Sequence, residues 1–242
     1  MRKIHLILLF ILISGCAGCI PAIKPVNKCV CAEKDSSQDR LKRDSGKVVL
    51  VYTRDKDMNA LTIGTGFVVD KNGIIMTAKH VVDDPEAKYI FVKIIENDKT
   101  IVKKVAEAYG SLLYDVVVLK INHTFKEAVK FRQGHLSSGE SLYTIGYPLA
   151  GGKGLVYTDP SYSVGEFLKV IAYGSSDALM QLSTMHAAPG FSGAPIFDAE
   201  GRVIGLISLN GNFTSHGSTF VFSIPADVCD RILKAVQSGI KK

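Results

Sequence analysis

An all-β domain closed by one carboxy-terminal helix is the fold class this sequence predicts, and three observations predict it. From Lys47 onward the chain breaks into short runs rich in Val, Ile, Thr, Tyr and Phe, punctuated by Gly, Asp and Asn. Hydrophobic residues make up 47% and charged residues 21% of the 242, enough apolar material for a core and too much for a disordered chain. After Pro225, the residues Val228, Ile232, Leu233 and Val236 recur at helical spacing. The net charge of +6 is spread along the chain rather than gathered in a basic block, which argues against a nucleic-acid partner.

The amino terminus differs in kind from the rest of the chain. Met1, Arg2 and Lys3 form a positive start, and Ile4 to Ile13 is apolar apart from His5. That run is too short to cross a bilayer as a stable helix, which takes about 20 residues. It fits the apolar core of a secretory signal peptide over residues 1–15. The ending Ile13-Ser14-Gly15-Cys16 resembles the lipobox of bacterial lipoproteins, which implies acylation of Cys16 and a membrane anchor. With Ala17 next, the expected location is the cell envelope, on the periplasmic side of the outer membrane if the cell is Gram-negative. An ordinary signal peptide with Cys16 incidental is the alternative, and it alters location without altering chemistry.

Residues 16–46 read as a flexible tether, with Pro21, Pro25 and a polar stretch from Glu33 to Arg40 that has little apolar periodicity. Cys19, Cys29 and Cys31 fall in this tether, which leaves only Cys229 beyond it and excludes a dense disulfide framework for the domain. No cysteine pair stands at zinc-ligand spacing with histidine. No metal or cofactor is expected.

Strands are predicted over 48–53, 62–70, 74–77, 89–95, 101–106 and 116–121, then over 141–146, 165–173, 179–183, 203–208 and 219–224. Many short strands with frequent turn signals suggest sandwiches or barrels. The closing helix is expected over about 226–239. His123 and His135, between the two groups of strands, are expected to be solvated, and Ala150 to Ser163 to be a connecting loop.

Three segments carry chemistry, in the order His, Asp, Ser. They are Thr77-Ala78-Lys79-His80, Tyr114-Asp115-Val116-Val117-Val118-Leu119-Lys120, and Ala188-Pro189-Gly190-Phe191-Ser192-Gly193-Ala194-Pro195. A serine hydroxyl is a poor nucleophile at neutral pH and needs a base within reach. Imidazole suits that role because its pKa lies near working pH. A buried carboxylate fixes the imidazole tautomer and stabilises the imidazolium. Gly190 lets the backbone turn so that its own amide and that of Ser192 can face one oxyanion.

Taken together, residues 48–225 resemble the trypsin-like serine peptidases, and among them the bacterial Deg/HtrA type. The first segment is similar to TAAH and the second to the family's D-hydrophobic-A-hydrophobic-L-K strand, while Pro189 to Pro195 is similar to PGNSGGP. Gly64-Thr65-Gly66-Phe67, Ile145-Gly146-Tyr147-Pro148, Gly201-Arg202-Val203-Ile204-Gly205 and Phe222-Ser223-Ile224-Pro225 support the match. The resemblance implies a double β-barrel of two six-stranded antiparallel barrels, over about 47–122 and 138–225 of a peptidase domain spanning 47–242. It places His80 and Asp115 on the first barrel and Ser192 on the second. It implies a serine endopeptidase that hydrolyses proteins or peptides through an acyl-enzyme.

Departures from the pattern matter too. Phe191 stands where digestive enzymes carry an aspartate that pairs with a freshly cut amino terminus, so a directly competent domain is expected. Ala194 replaces the second glycine after the serine. With few residues after the closing helix, the PDZ module of the Deg/HtrA type is not expected in this sequence. By resemblance, His186, Ala187 and Ala188 on one side, and Ser208, Leu209 and Asn210 on the other, line the pocket for the side chain before the scissile bond. The backbone of Ser208 to Asn210 would then pair with substrate as an added strand. No acidic residue lies there, so a small or aliphatic preference is the default; His186 or His216 would instead favour an acidic side chain. A catalytically silent domain that binds unfolded or partner protein is the competing function.

Overall fold

β-branched and aromatic residues recur in the runs that become strands, because such side chains pack well on a pleated surface. In the computed structural model, which describes residues 36–149, 159–172, 179–209 and 220–240, they form twelve strands. The expected signal peptide, Cys16 and the other tether cysteines lie outside the described residues, as do Asn210 and His216.

The first six strands are β1 (Val48–Arg54), β2 (Ala60–Asp70), β3 (Ile74–Thr77), β4 (Tyr89–Glu96), β5 (Lys99–Gly110) and β6 (Val117–Ile121). They close into a barrel in the order β1-β2-β3-β6-β5-β4. The second six are β7 (Ser141–Gly146), β8 (Ser161–Ala172), β9 (Leu179–Met185), β10 (Pro195–Phe197), β11 (Val203–Leu209) and β12 (Phe220–Pro225). They close as β7-β8-β9-β12-β11-β10, which is the same connectivity repeated. Closure leaves neither sheet an open edge. The double barrel implied by the resemblance is the observed architecture.

Each barrel buries a set of large apolar side chains. Phe67, Ile75, Met76, Val92 and Leu119 are buried in the first, and Leu142, Phe167, Ile196, Ile204 and Val221 in the second. Each such burial is worth roughly 1.5–3 kcal/mol relative to exposure. β1 is buried along nearly its whole length, in keeping with its unbroken apolar run Val48-Val49-Leu50-Val51. The closing helix α2 spans Ala226–Ile240, with Val228, Cys229 and Leu233 buried on its inner side. Burial pushes the Cys229 thiol well above its ordinary pKa, so this free cysteine is an apolar filler and not a nucleophile.

Three local expectations differ from what is observed. The strand β10 has only three residues and begins with a proline, too little for a periodicity to register. β8 begins at Ser161, inside the stretch read as a loop, because Ser161-Tyr162-Ser163-Val164 alternates without a strongly apolar face. His123 is not solvated: its ring is T-shaped on Phe125 at 4.7 Å, and its Nε2 lies 3.3 Å from Glu96 Oε1.

The largest difference is in the expected tether. Residues Ser37–Asp44 form a helix, α1, whose amino terminus is closed by a capping box between Ser36 and Asp39. Its buried residues are charged, Arg40 and Asp44, which is why no apolar stripe announces it. Asp44, fully buried, accepts from Arg43 Nε at 2.9 Å, Lys47 Nζ at 2.8 Å and the Tyr143 hydroxyl at 2.6 Å. Arg40 lies over the Tyr143 ring, 5.3 Å from its centre. Since Tyr143 belongs to β7, α1 docks on the second barrel while the chain leaving it enters β1 of the first. Asp44→Ala should strip three donors of their acceptor at once and lower unfolding stability by about 2–3 kcal/mol in chemical denaturation.

Candidate active site

Register puts the first two candidate residues together. Thr77 of β3 pairs with Val117 of β6, so the residues just after β3 and just before β6 emerge at one barrel end. A short 3₁₀ turn over Lys79–Val81 then presents His80, and Asp115 faces it. The backbone amide of His80 donates to Asp115 Oδ1 at 2.8 Å, and the ring Nδ1 lies 2.6 Å from Asp115 Oδ2. An ionised carboxylate can only accept, so the proton sits on Nδ1 and the Nε2 lone pair is left as a base. The His80 side chain is 47% exposed, whereas that of Asp115 is 26% exposed.

The second barrel reaches the same carboxylate. Ser208, on β11, donates its hydroxyl to Asp115 Oδ2 at 2.7 Å. Burial pushes the Asp115 carboxyl up, but the bonds from the His80 ring, the Ser208 hydroxyl and the His80 amide together outweigh it. They hold the carboxyl below its ordinary value.

Ser192 lies in the loop between β9 and β10 and is nearly buried. Two consecutive turns shape that loop. Phe191 N–H donates to Ala188 O at 3.1 Å and Ala194 N–H to Phe191 O at 2.9 Å, with Gly190 at φ +96° and Gly193 at φ +83° in the third positions. Only glycine adopts such values without strain. Contacts add a second constraint: a Cβ on Gly190 would fall 2.2 Å from Tyr147 O, and one on Gly193 2.2 Å from both Thr65 O and Thr77 Oγ1. Gly193 thus sits against the end of β3, three residues from His80.

Every carbonyl from Pro189 to Ser192 has a partner. Pro189 O accepts from Leu149 N at 2.7 Å, Gly190 O from Thr65 Oγ1 at 2.7 Å, Phe191 O from Ala194 N at 2.9 Å, and Ser192 O from Thr65 N at 2.8 Å. In a trans peptide the amide points opposite to the carbonyl. The Gly190 and Ser192 N–H groups therefore point away from Leu149 and Ala194 respectively.

Phe191 is buried, with its ring against Gly146, where a Cβ would lie 2.7 Å from it. An apolar plug thus occupies the position where the digestive relatives carry a carboxylate.

Of the residues expected to line the specificity pocket, the structure describes His186, Ala187, Ala188 and Ser208 with their side chains. His186 is exposed and, with Ala188, Phe191, Pro148, Tyr162 and Ser37, borders a cavity of about 570 Å³ that neither Ser192 nor Ser208 lines. Ala187 points the other way into the second barrel's core, as alternation along an extended chain requires. The Ser208 side chain turns to Asp115 instead of a substrate pocket. Leu209 ends β11, opposite Phe222 of β12. Sequence reasoning missed the Ser208–Asp115 bond because nothing local to Ser208 marks a partner 93 residues away. Among the described residues, no group of three or more His, Cys, Asp or Glu is placed to hold a metal ion.

Comparison with known proteins agrees with this fold. The chain is 29% identical over 181 residues to a DegP-like periplasmic serine endoprotease of Hahella chejuensis, covering 73% of this chain and 36% of that protein. A counterpart in Pseudomonas fulva is 26% identical over 192 residues, with 73% and 36% covered. The chain therefore spans about a third of the length of these curated relatives. Among solved structures, the serine endoprotease of Yersinia pestis superposes with a TM-score of 0.65 at 24% identity, over 83% of this chain and 66% of that one. The active form of the Rv3671c protease from M. tuberculosis gives 0.62 at 20% identity, over 78% and 79%. At these identities the two structures speak for the fold alone. Residues 64–206 match the trypsin-like peptidase domain, and with more than half its length in that match the chain belongs to the trypsin-like peptidase family.

Proposed function

We propose that this protein is a serine endopeptidase that cleaves proteins or peptides through an acyl-enzyme. The observation that carries the reading is the Asp115 carboxylate, which receives two hydrogen bonds from His80 and one from Ser208 on the opposite barrel. Ser192 is the nucleophile and His80 Nε2 takes its proton. Asp115 keeps the proton on Nδ1 and offsets the imidazolium charge as it forms. The amides of Gly190 and Ser192 receive the oxyanion of the tetrahedral intermediate, and removing one such donor typically costs about 10²–10³ in rate. His80 then returns its proton to the departing amine, and water repeats the sequence on the ester.

The relatives' designation as periplasmic endoproteases supports protein substrates and a site outside the cytoplasm. Attachment to a membrane through an acylated Cys16 is part of the same proposal. Palmitate-analogue labelling that is lost in Cys16→Ser tests that part separately.

A fluorophosphonate probe tests the enzyme. It should label Ser192 in the wild type, located by peptide mass mapping, and should label His80→Ala far more slowly because the hydroxyl loses its base. A folded wild-type protein that stays unlabelled would instead favour the silent binding domain.

A further inference from the structure

Thr65 is completely buried in β2, and no step of the proposed reaction uses its hydroxyl. A hydroxyl inside a barrel wall is costly unless its donor and acceptor capacity are both used. Here both are. Thr65 Oγ1 donates to Gly190 O at 2.7 Å and accepts from Tyr147 N at 2.9 Å. Its backbone N–H donates to Ser192 O at 2.8 Å, and its carbonyl accepts from Thr77 Oγ1 at 2.6 Å. One residue thus grips the carbonyls on both sides of Phe191.

The grip propagates peptide by peptide. With Gly190 O fixed, Phe191 N–H must point to Ala188 O, which closes the turn that holds Gly190 at φ +96°. With Ser192 O fixed, Gly193 N–H must point to Ile207 O, 2.7 Å away. Turning the Pro189–Gly190 peptide over would carry Gly190 to negative φ and strain against its anchored carbonyl. Phe191 offers no carboxylate to a new amino terminus, so loop order has to come from elsewhere.

The geometry points to Thr65 as a positioning residue: its hydroxyl holds Gly190 in the turn that aims the Gly190 oxyanion amide, and it makes the site competent without activating cleavage. This inference rests on the peptidase reading above.

The test is turnover per active site, with sites counted by fluorophosphonate titration of the full chain. Thr65→Val keeps the shape and removes the hydroxyl. It should lower kcat per titrated site on the order of 10- to 100-fold, the scale expected for misplaced catalytic groups. KM should stay within about twofold. Thr65→Ser keeps the hydroxyl and should return kcat to within about threefold of the wild type. Should Thr65→Val fail to fold, Thr65→Ala supplies the hydroxyl-free arm of the comparison.

Wild-type turnover per titrated site in the hydroxyl-free variants overturns the inference, and so does a serine variant as slow as the valine one. A loss seen only as fewer titratable sites reports a structural role and overturns it too. A wild type without Ser192-dependent turnover fails at an earlier point, the peptidase reading itself, which no Thr65 variant can imitate.

Discussion

Ser192→Ala should lower peptide hydrolysis by roughly 10⁶-fold, the scale on which removing the nucleophile disables serine peptidases generally. The reason is chemical: alanine offers no atom to form the acyl-enzyme, and water must attack unaided. The fold should not follow the activity down. The loop is held through the carbonyls of Pro189, Gly190, Phe191 and Ser192, all of which the variant keeps. Unfolding stability should therefore stay within about 1 kcal/mol of the wild type. Initial rates on a fluorogenic peptide library, beside a denaturation curve for each protein, separate the two effects. Hydrolysis at the wild-type rate in the folded variant would remove Ser192 from the chemistry.

Asp115→Asn should lower turnover by about 10⁴-fold with the backbone almost unmoved. Asparagine keeps an oxygen for one donor, but its amide cannot replace a carboxylate that accepts from the His80 amide, the His80 ring and Ser208 together. An amide N–H turned toward His80 would place the ring proton on Nε2, where the base is needed. A stability signature accompanies the rate. The Asp115 carboxyl titrates below its ordinary value near 3.8, so the native state favours its charged form. Its contribution to stability is complete above that value and disappears as pH falls through the lower, folded-state pKa. The variant has nothing to titrate there. Its stability difference from the wild type should narrow as the buffer is taken from pH 5 toward pH 2, read by denaturation at each pH. A difference constant over that range would mean that the carboxylate is not held by these bonds.

The strands were legible where apolar residues run unbroken for four or more, as in Val48–Tyr52 of β1 and Val116–Leu119 leading into β6. β10 was not, because three residues opened by a proline gain their strand geometry from β7 and β11 on either side. α1 was hidden for the opposite reason. Its buried face is ionic, and an Arg40–Asp44 face reads as solvent-exposed until Tyr143, 99 residues on from Asp44, supplies the partner. The same division runs through the site. His80, Asp115 and Ser192 stand in local motifs, so the sequence could nominate them. Ser208 and Thr65 act through contacts that depend on how two barrels face each other, and a single hydroxyl in a strand gives no sign of that. For the pocket stretches, the sequence names residues without saying which way successive side chains turn, so His186 and Ala187 face opposite ways.

The position of α1 has a mechanical consequence. Its hydrogen bonds grip one barrel while its covalent exit feeds the other, so it links the two barrels at the start of the domain. A pull on the chain ahead of Ser36 therefore loads the contacts of Arg40 and Asp44 with Tyr143 before it loads β1, the strand that opens the barrel carrying His80.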